Sequence, residues 1–477
     1  MNKMRAGFSL IFVSLSFMAL TSPSLADETQ AVLTVDQAIE MAFQNSLLRK
    51  LALGEVSIAH DKKLQAASGY LPKVTLNGGA SRFNEVPTSV ELGTKLAQLN
   101  NALDQLADYW RATNPGNPLY ESFANGLFQA ELPDDSLFYY GLKLTIEQPL
   151  YTGNKLTALN KLAKANEDMA EANLEAADQN LVFEVKKGYY TVLQTQRIVE
   201  TLRDAVRSME AHVKEADSYY KAGMVPKLDV MRAEVKLADL KQKLVMAENG
   251  FSLAKTALNF VIGVDLGVNY QLVDDLKSQP LVKDLPTYQL EAVANRPELQ
   301  SIKEKVKMAK QGIEIAKSGR KPVVALRAEG DNTKPYSSIP SRSVSLVASM
   351  KLYDGGMVAN QIAETEDTLQ QALIGQDLLE RKIKLEVEQA YYNLVTSLRT
   401  IEVAQKVLTQ AEETVKMADI SYQAGLSTSL ERIDAEAGLT QAKSNYAQAL
   451  SFYNIAWAQL EKAIGTKREE LQNENGR

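Results

Sequence analysis

The amino-acid sequence predicts a mainly α-helical protein with long antiparallel helical hairpins of coiled-coil type, a small β part of four strands, and an internal two-fold repeat. Three observations predict it. Residues 155–221 contain no proline and only Gly188 as a breaker. Four short segments alternate apolar and polar residues. Tyr189-Tyr190, Gly223 and Ile262-Gly263 recur as Tyr391-Tyr392, Gly425 and Ile464-Gly465, each 202 positions later (425 − 223).

The repeat sets the domain organisation. Over 181–265 it needs no gap and holds roughly 24 identities in 85 positions, more than shared helical composition supplies. Upstream, "AASGYLPKVTL" matches "AKSGRKPVVAL" at an interval of 250 (322 − 72), so the first copy carries about 48 extra residues. They fall between Phe83 and Leu137, where Asn114-Pro115-Gly116 and Pro133-Asp134-Asp135 signal loop. The expected division is a first repeat at 27–265, a connector at 266–287 rich in Asp, Pro and Gly, a second repeat at 288–465, and a charged tail at 466–477. Each half reads helix, strand, loop, strand, long helix, break, helix.

Ala, Leu, Glu, Lys and Gln dominate the long helices, and all are good helix formers. At 1.5 Å per residue, 155–221 spans about 100 Å. Its partner runs over 226–262, and the path repeats over 356–424 and 428–464. Apolar residues at three- and four-residue spacing, such as Leu228, Met231, Val235, Ala238, Leu244 and Ala247, form a stripe suited to side-by-side packing. A plain coiled-coil scaffold explains these helices, though not the segments between them.

Strands are expected at about 70–84, 137–150, 321–331 and 343–353. In 138–147 the even positions are apolar, with Lys143, Thr145 and Glu147 between them; 343–352 repeats this with serines in the polar register. Alternation over about ten residues suits a transmembrane barrel strand, and equally a soluble antiparallel sheet with one wet face. Four strands cannot close a barrel, and open edges in lipid leave backbone groups unsatisfied. A membrane location therefore requires several copies to pool their strands.

The N-terminus favours export. Lys3 and Arg5 precede the apolar run Phe8–Leu20 and then Ser24-Leu25-Ala26, the layout of a signal peptide at 1–26. The run is short for a membrane anchor. Cysteine is absent, which excludes disulfides, thiol chemistry and a lipid-modified N-terminal Cys. Loss of Lys3 and Arg5 takes the formal charge from −6 to −8, a poor match to nucleic acid.

The helix breaks are themselves duplicated, in "YKAGMVPKLDVMRAE" (220–234, tip at 222–228) and "YQAGLSTSLERIDAE" (422–436, tip at 424–430). Gly223 and Gly425 suit the left-handed stop of a helix. Pro226 suits the first turn of the next helix, and Thr428 with Glu431 three residues on makes a capping box. Asp229 sits in a first turn, and Glu431 and Asp434 share a helix face.

Together with "LYTGN" and "LYDGG" at the strand-to-helix passages and the two "YY" pairs, these motifs resemble the TolC-type outer-membrane efflux proteins over nearly all of the mature chain. The resemblance implies three copies, a twelve-stranded barrel in outer-membrane lipid, and a tapering periplasmic helical tunnel. It implies an exit duct fed by an inner-membrane pump of RND, ABC or MFS type through a periplasmic adaptor. Gly223, Met224, Gly425 and Leu426 then correspond to adaptor-docking tips. Asp229, Tyr422, Glu431 and Asp434 correspond to a periplasmic gate, the two second-copy acids ringing its mouth; the alternative is that the acids only cap helices. Where some members carry an arginine two residues after the second glycine, this chain has Ser427, so a closing contact must be made differently.

No cofactor or enzymatic chemistry is expected. There is no nucleotide-binding G-x-x-x-x-G-K-[ST] loop, nucleophile elbow or H-E-x-x-H pair. His60 and His212 sit in charged helical sequence and are expected to be solvated. Three readings remain: an efflux duct, a protein-secretion duct of the same build, and a soluble periplasmic coiled-coil scaffold or adaptor.

Overall fold

The computed structural model describes residues 32–82, 138–273, 276, 283–334 and 341–466, with short helical stretches at 98–99, 101–106, 108–109 and 112–113. The expected signal peptide, most of the long first loop, part of the connector and nearly all of the tail lie outside the described residues. In chain order the elements are β1 (Val32–Leu33), α1 (Val35–Asn45), α2 (Leu47–Ser68), β2 (Lys73–Arg82), β3 (Phe138–Tyr151), α3 (Lys155–Lys221) and α4 (Lys227–Ile262). There follow β4 (Gln271–Leu272), α5 (Leu285–Asn295), α6 (Pro297–Ser318), β5 (Val323–Lys334), β6 (Ser341–Ser349), α7 (Met357–Gln423) and α8 (Ser429–Ile464). Helices α1, α2, α3 and α4 have 11, 22, 67 and 36 residues, and so do α5, α6, α7 and α8.

Each half opens with two helices where one was expected. Ser46 and Arg296 adopt extended ψ values of 124° and 119°. At Arg296 the cause is Pro297, which disfavours helical geometry in the residue before it. Arg296 then turns inward: its guanidinium donates to the carbonyls of Lys462 and Ala463 at the end of α8 and pairs with Glu298 and Glu386. Helix α5 begins inside the span assigned to the connector.

Two apolar cores form where the short helices meet the midsections of the long ones. One gathers Ala38, Ala42, Val185, Tyr189, Leu258 and Ile262; the other gathers Ala292, Ile383, Val387, Leu394, Tyr453 and Leu460. The buried hydroxyl of Tyr189 lies 3.0 Å from the Leu33 carbonyl and 2.8 Å from that of Val273, tying α3 to the parallel pair β1–β4. Lys186 and Glu461, paired at 2.6 Å, join α3 to α8.

The four-stranded sheet runs antiparallel in the order β2-β3-β5-β6. Its register aligns Leu76 with Leu144, Ile146 with Ala328, and Leu326 with Leu346, so the period-two pattern becomes a continuous apolar face. Leu76, Leu144, Leu326 and Leu346 are all exposed in the single chain. The opposite face carries cross-strand ion pairs, Lys143–Glu329 at 3.2 Å and Arg327–Glu147 at 2.8 Å. Pro149 sits at a register shift in β3, where its missing N–H costs no ladder bond. Among the described residues, β2 and β6 each have one edge without a partner strand.

The stripe on α4 divides: Leu244 and Ala247 pack against the core as expected, and its first part does not. Leu228, Met231 and Val235 are more than half exposed, while Val230, Ala233 and Leu240 are buried. Helix α4 is apolar on two sides, and the chain covers only one of them.

Candidate functional site

Both long hairpins turn at the end far from the sheet, and both turn the same way. Gly223 (φ 75°) and Gly425 (φ 71°) are left-handed, a conformation costly to any residue with a Cβ. Met224 donates to the Tyr219 carbonyl at 2.9 Å and Leu426 to the Ser421 carbonyl at 2.8 Å, while each glycine N–H bonds the carbonyl two residues before the C-cap. This is the Schellman stop. It leaves Met224 71% and Leu426 83% exposed at the extremities of the molecule.

Past the glycines the tips diverge. Pro226 occupies the N-cap of α4, not its first turn as expected, and provides no side-chain cap. Thr428 caps α8 with the expected box: its Oγ1 accepts from Glu431 N, and the Glu431 carboxylate accepts from Thr428 N at 3.1 Å. Glu431 and Asp434 are exposed, and Asp229 pairs with Arg232 at 3.8 Å.

The second tip is clamped to α3 by a cluster centred on Arg432, a residue the sequence reading did not single out. Its guanidinium pairs with Glu215 of α3 and Asp419 of α7, and lies 5.4 Å from the ring centroid of Tyr422. His212 of α3 completes it: its Nδ1 lies 3.1 Å from Arg432 Nη1 and its Nε2 lies 2.9 Å from Ser429 Oγ. Tyr422 packs edge-on against His212 (5.4 Å between centroids) and tilted against Tyr219 (6.1 Å). We call this cluster the latch.

These contacts correct the expectation that His212 is solvated, since it is 3% exposed. The reason is its place in the buried stripe Leu202, Ala205, Met209, His212, Ala216, whose three- and four-residue spacing marks one helix face. That spacing was the available signal, masked by the charged residues beside it. His60 is half exposed and bonds the buried Glu167 at 2.8 Å, which Lys63 also pairs. Burial pushes the His212 imidazole below its ordinary value and Arg432 acts with it, against Glu215, Asp419 and Asp229. Burial also raises the Tyr422 phenol. The hydroxyls of Tyr422 and Ser427 are buried and, among the described residues, have no hydrogen-bond partner. Tyr422 and Asp229, expected to act together, are therefore not joined by a hydrogen bond.

Among the described residues there is no acid–histidine group fit to hold a metal ion, and no helix is long and apolar enough to cross a membrane. Residues 38–264 and 290–466 match the family model described as outer membrane efflux protein. The chain belongs to that family. As an outer membrane efflux protein it is a channel with a periplasmic tunnel, not an enzyme. It is 21% identical over 341 residues to outer membrane protein TolC of Vibrio cholerae, covering 69% of this chain and 77% of the relative. It is also 21% identical over 358 residues to the alkaline protease secretion protein AprF of Pseudomonas aeruginosa, covering 73% and 74%. The fold of this efflux protein is that of the Campylobacter jejuni CmeC outer membrane channel, with a TM-score of 0.72 at 14% identity over 92% of this chain and 88% of that one.

Proposed function

We propose that the protein is the trimeric exit duct of a tripartite system that expels small molecules across the periplasm and outer membrane. One observation carries this reading: two 67-residue helices run from a sheet with an apolar face and two edges that are unpaired among the described residues to a pair of matched glycine tips. Two helices of about 100 Å each bridge a periplasm-scale distance. The open edges and the uncovered stripe Leu228, Met231 and Val235 support association with further copies of the chain. Three copies give a barrel of twelve strands, and the equal helix lengths of the two halves support a duplicated origin.

At the tips, the exposed Met224 and Leu426 beside Gly223 and Gly425 suit docking of a periplasmic adaptor that couples the duct to an inner-membrane pump. Glu431 and Asp434 line the mouth, with Asp229 and Tyr422 nearby, and the Arg432 latch holds the second hairpin inward. Purified trimer in a planar bilayer tests this. A cation-selective conductance that rises in Arg432→Ala supports the duct; no conductance in either protein sinks it. The likeness to AprF favours one second reading, export of a protein through the same duct. Loss of drug resistance on gene deletion, with secreted proteins unchanged, separates the two.

A further inference from the structure

The latch contains one group whose charge changes between pH 5 and 8. Two contacts define its protonation state. A guanidinium nitrogen only donates, so His212 Nδ1, 3.1 Å from Arg432 Nη1, is an acceptor and carries no proton. The proton of the neutral ring is then on Nε2, which donates to Ser429 Oγ at 2.9 Å. Ser429 is 1% exposed and His212 3%, so water cannot readily replace either partner. Protonation at Nδ1 removes the acceptor and sets two cations side by side.

Charged groups from four helices face the ring. Glu215 of α3 lies 4.0 Å from Nδ1, Asp229 of α4 and Asp419 of α7 add negative potential, and Arg432 of α8 opposes them. Glu215 and Asp419 are both already engaged by Arg432. The Tyr219 and Tyr422 rings close the remaining wall. The third acid, Asp229, is paired with Arg232 at 3.8 Å, so among the described residues a second cation in this enclosure has no uncommitted carboxylate beside it.

We propose that acid releases the second tip: protonation of His212 at Nδ1 expels Arg432 from the latch and frees the α7–α8 hairpin from α3. This rests on the reading of the latch as the contact that closes the tunnel mouth. The sign follows from burial, which favours the neutral ring in the latched state. The latch is at full strength above the ordinary imidazole value of about 6.5. It weakens about tenfold for each pH unit below that, until the latched ring itself protonates. Carboxylates ordinarily titrate near 4, outside this window.

The test is conductance of the full-length trimer at pH 7.5, 6.5 and 5.5. The wild type should open as pH falls below 6.5, with open occupancy rising up to about tenfold by 5.5. His212→Gln should stay flat, because its carbonyl can still accept from Arg432 and its amide can still donate to Ser429. A wild-type conductance that does not change down to pH 5.5 overturns the proposal. So does a His212→Gln response that matches the wild type. If Arg432→Ala opens the channel at pH 7.5 while the wild type stays flat, only the acid trigger fails; if Arg432→Ala does not open it, the closing role itself fails. A structural readout is independent of both. In this cysteine-free chain, spin labels at Lys214→Cys and Leu430→Cys should move apart between pH 7.5 and 5.5, and an unchanged distance refutes release. With two histidines in the chain, His60→Gln leaves His212 as the only imidazole, whose NMR titration must coincide with that separation. Should His212→Gln fail to assemble, the wild-type titration and label distance still decide.

Discussion

The two tips share a helix stop and differ in everything that follows it. At Gly223 the chain turns, passes through Pro226 and enters a helix whose fourth residue, Val230, is buried as an ordinary apolar contact. At Gly425 the same turn leads through a capped Thr428 to Arg432, at the position matching Val230, and Arg432 ties three helices together. Asp217 and Asp419 also match, yet Asp217 pairs locally with Lys221 at 2.6 Å while Asp419 faces Arg432. A stop made of backbone hydrogen bonds tolerates sequence divergence around it. A polar cluster does not, because each buried charge depends on its partners. The start of one hairpin's return helix therefore rests on apolar packing, and that of the other also on a charge cluster that, on our proposal, a proton undoes.

The sharpest way to break this comparison is to exchange its central pair. Arg432→Ala strands Glu215 and Asp419; both are about a third exposed, so water screens part of the loss and the cost should fall below the about 3–5 kcal/mol typical of a fully buried pair. Thermal melts of the detergent-solubilised trimer should show a clear loss, and the bilayer should show opening at neutral pH. Val230→Ala removes two methylene equivalents, about 1.5 kcal/mol, and should leave conductance unchanged. Equal effects on conductance would mean that the tips are functionally alike.

The shared stop gives the next test. Gly223→Ala and Gly425→Ala each force a Cβ into left-handed backbone, about 1–2 kcal/mol, with no neighbour in the way at either position. Their melting shifts should agree. Gly263→Ala should cost more, because its Cβ would lie 2.8 Å from the Asn45 carbonyl. A smaller effect follows at the helix starts: Thr428→Ala loses a cap and about 1 kcal/mol, whereas Pro226→Ala loses no side-chain bond. Smallest in stability is Glu431→Gln with Asp434→Asn, since a glutamine can still accept from Thr428 N. The double variant should melt within about 0.5 kcal/mol of the parent and yet show weaker block by multivalent cations; unchanged block would leave Glu431 as a cap alone.

Much of this architecture was legible along the chain. Period-two alternation located the sheet, because successive strand side chains face opposite ways. Proline-free runs of good helix formers located α3 and α7, and the recurring glycine marked both turns. The stripe on α4 shows where such reading ends: Leu228, Met231 and Val235 form a valid helical face, but so do Val230, Ala233 and Leu240. Periodicity finds apolar faces without saying what covers them. Ser46 likewise breaks a helix without the proline that announces the break at Arg296.

What the sequence determined by itself is therefore local: the extents of the long helices, the period-two alternation of the strands, the glycine stops and the Thr428–Glu431 box, all set by contacts within a few residues. Only the tertiary structure decided the latch. Glu215 and Arg432 stand 217 positions apart, and His212 is surrounded by charged neighbours that remain in water while it does not. Burial and charge pairing depend on which helix faces meet, and three-dimensional packing alone supplies that.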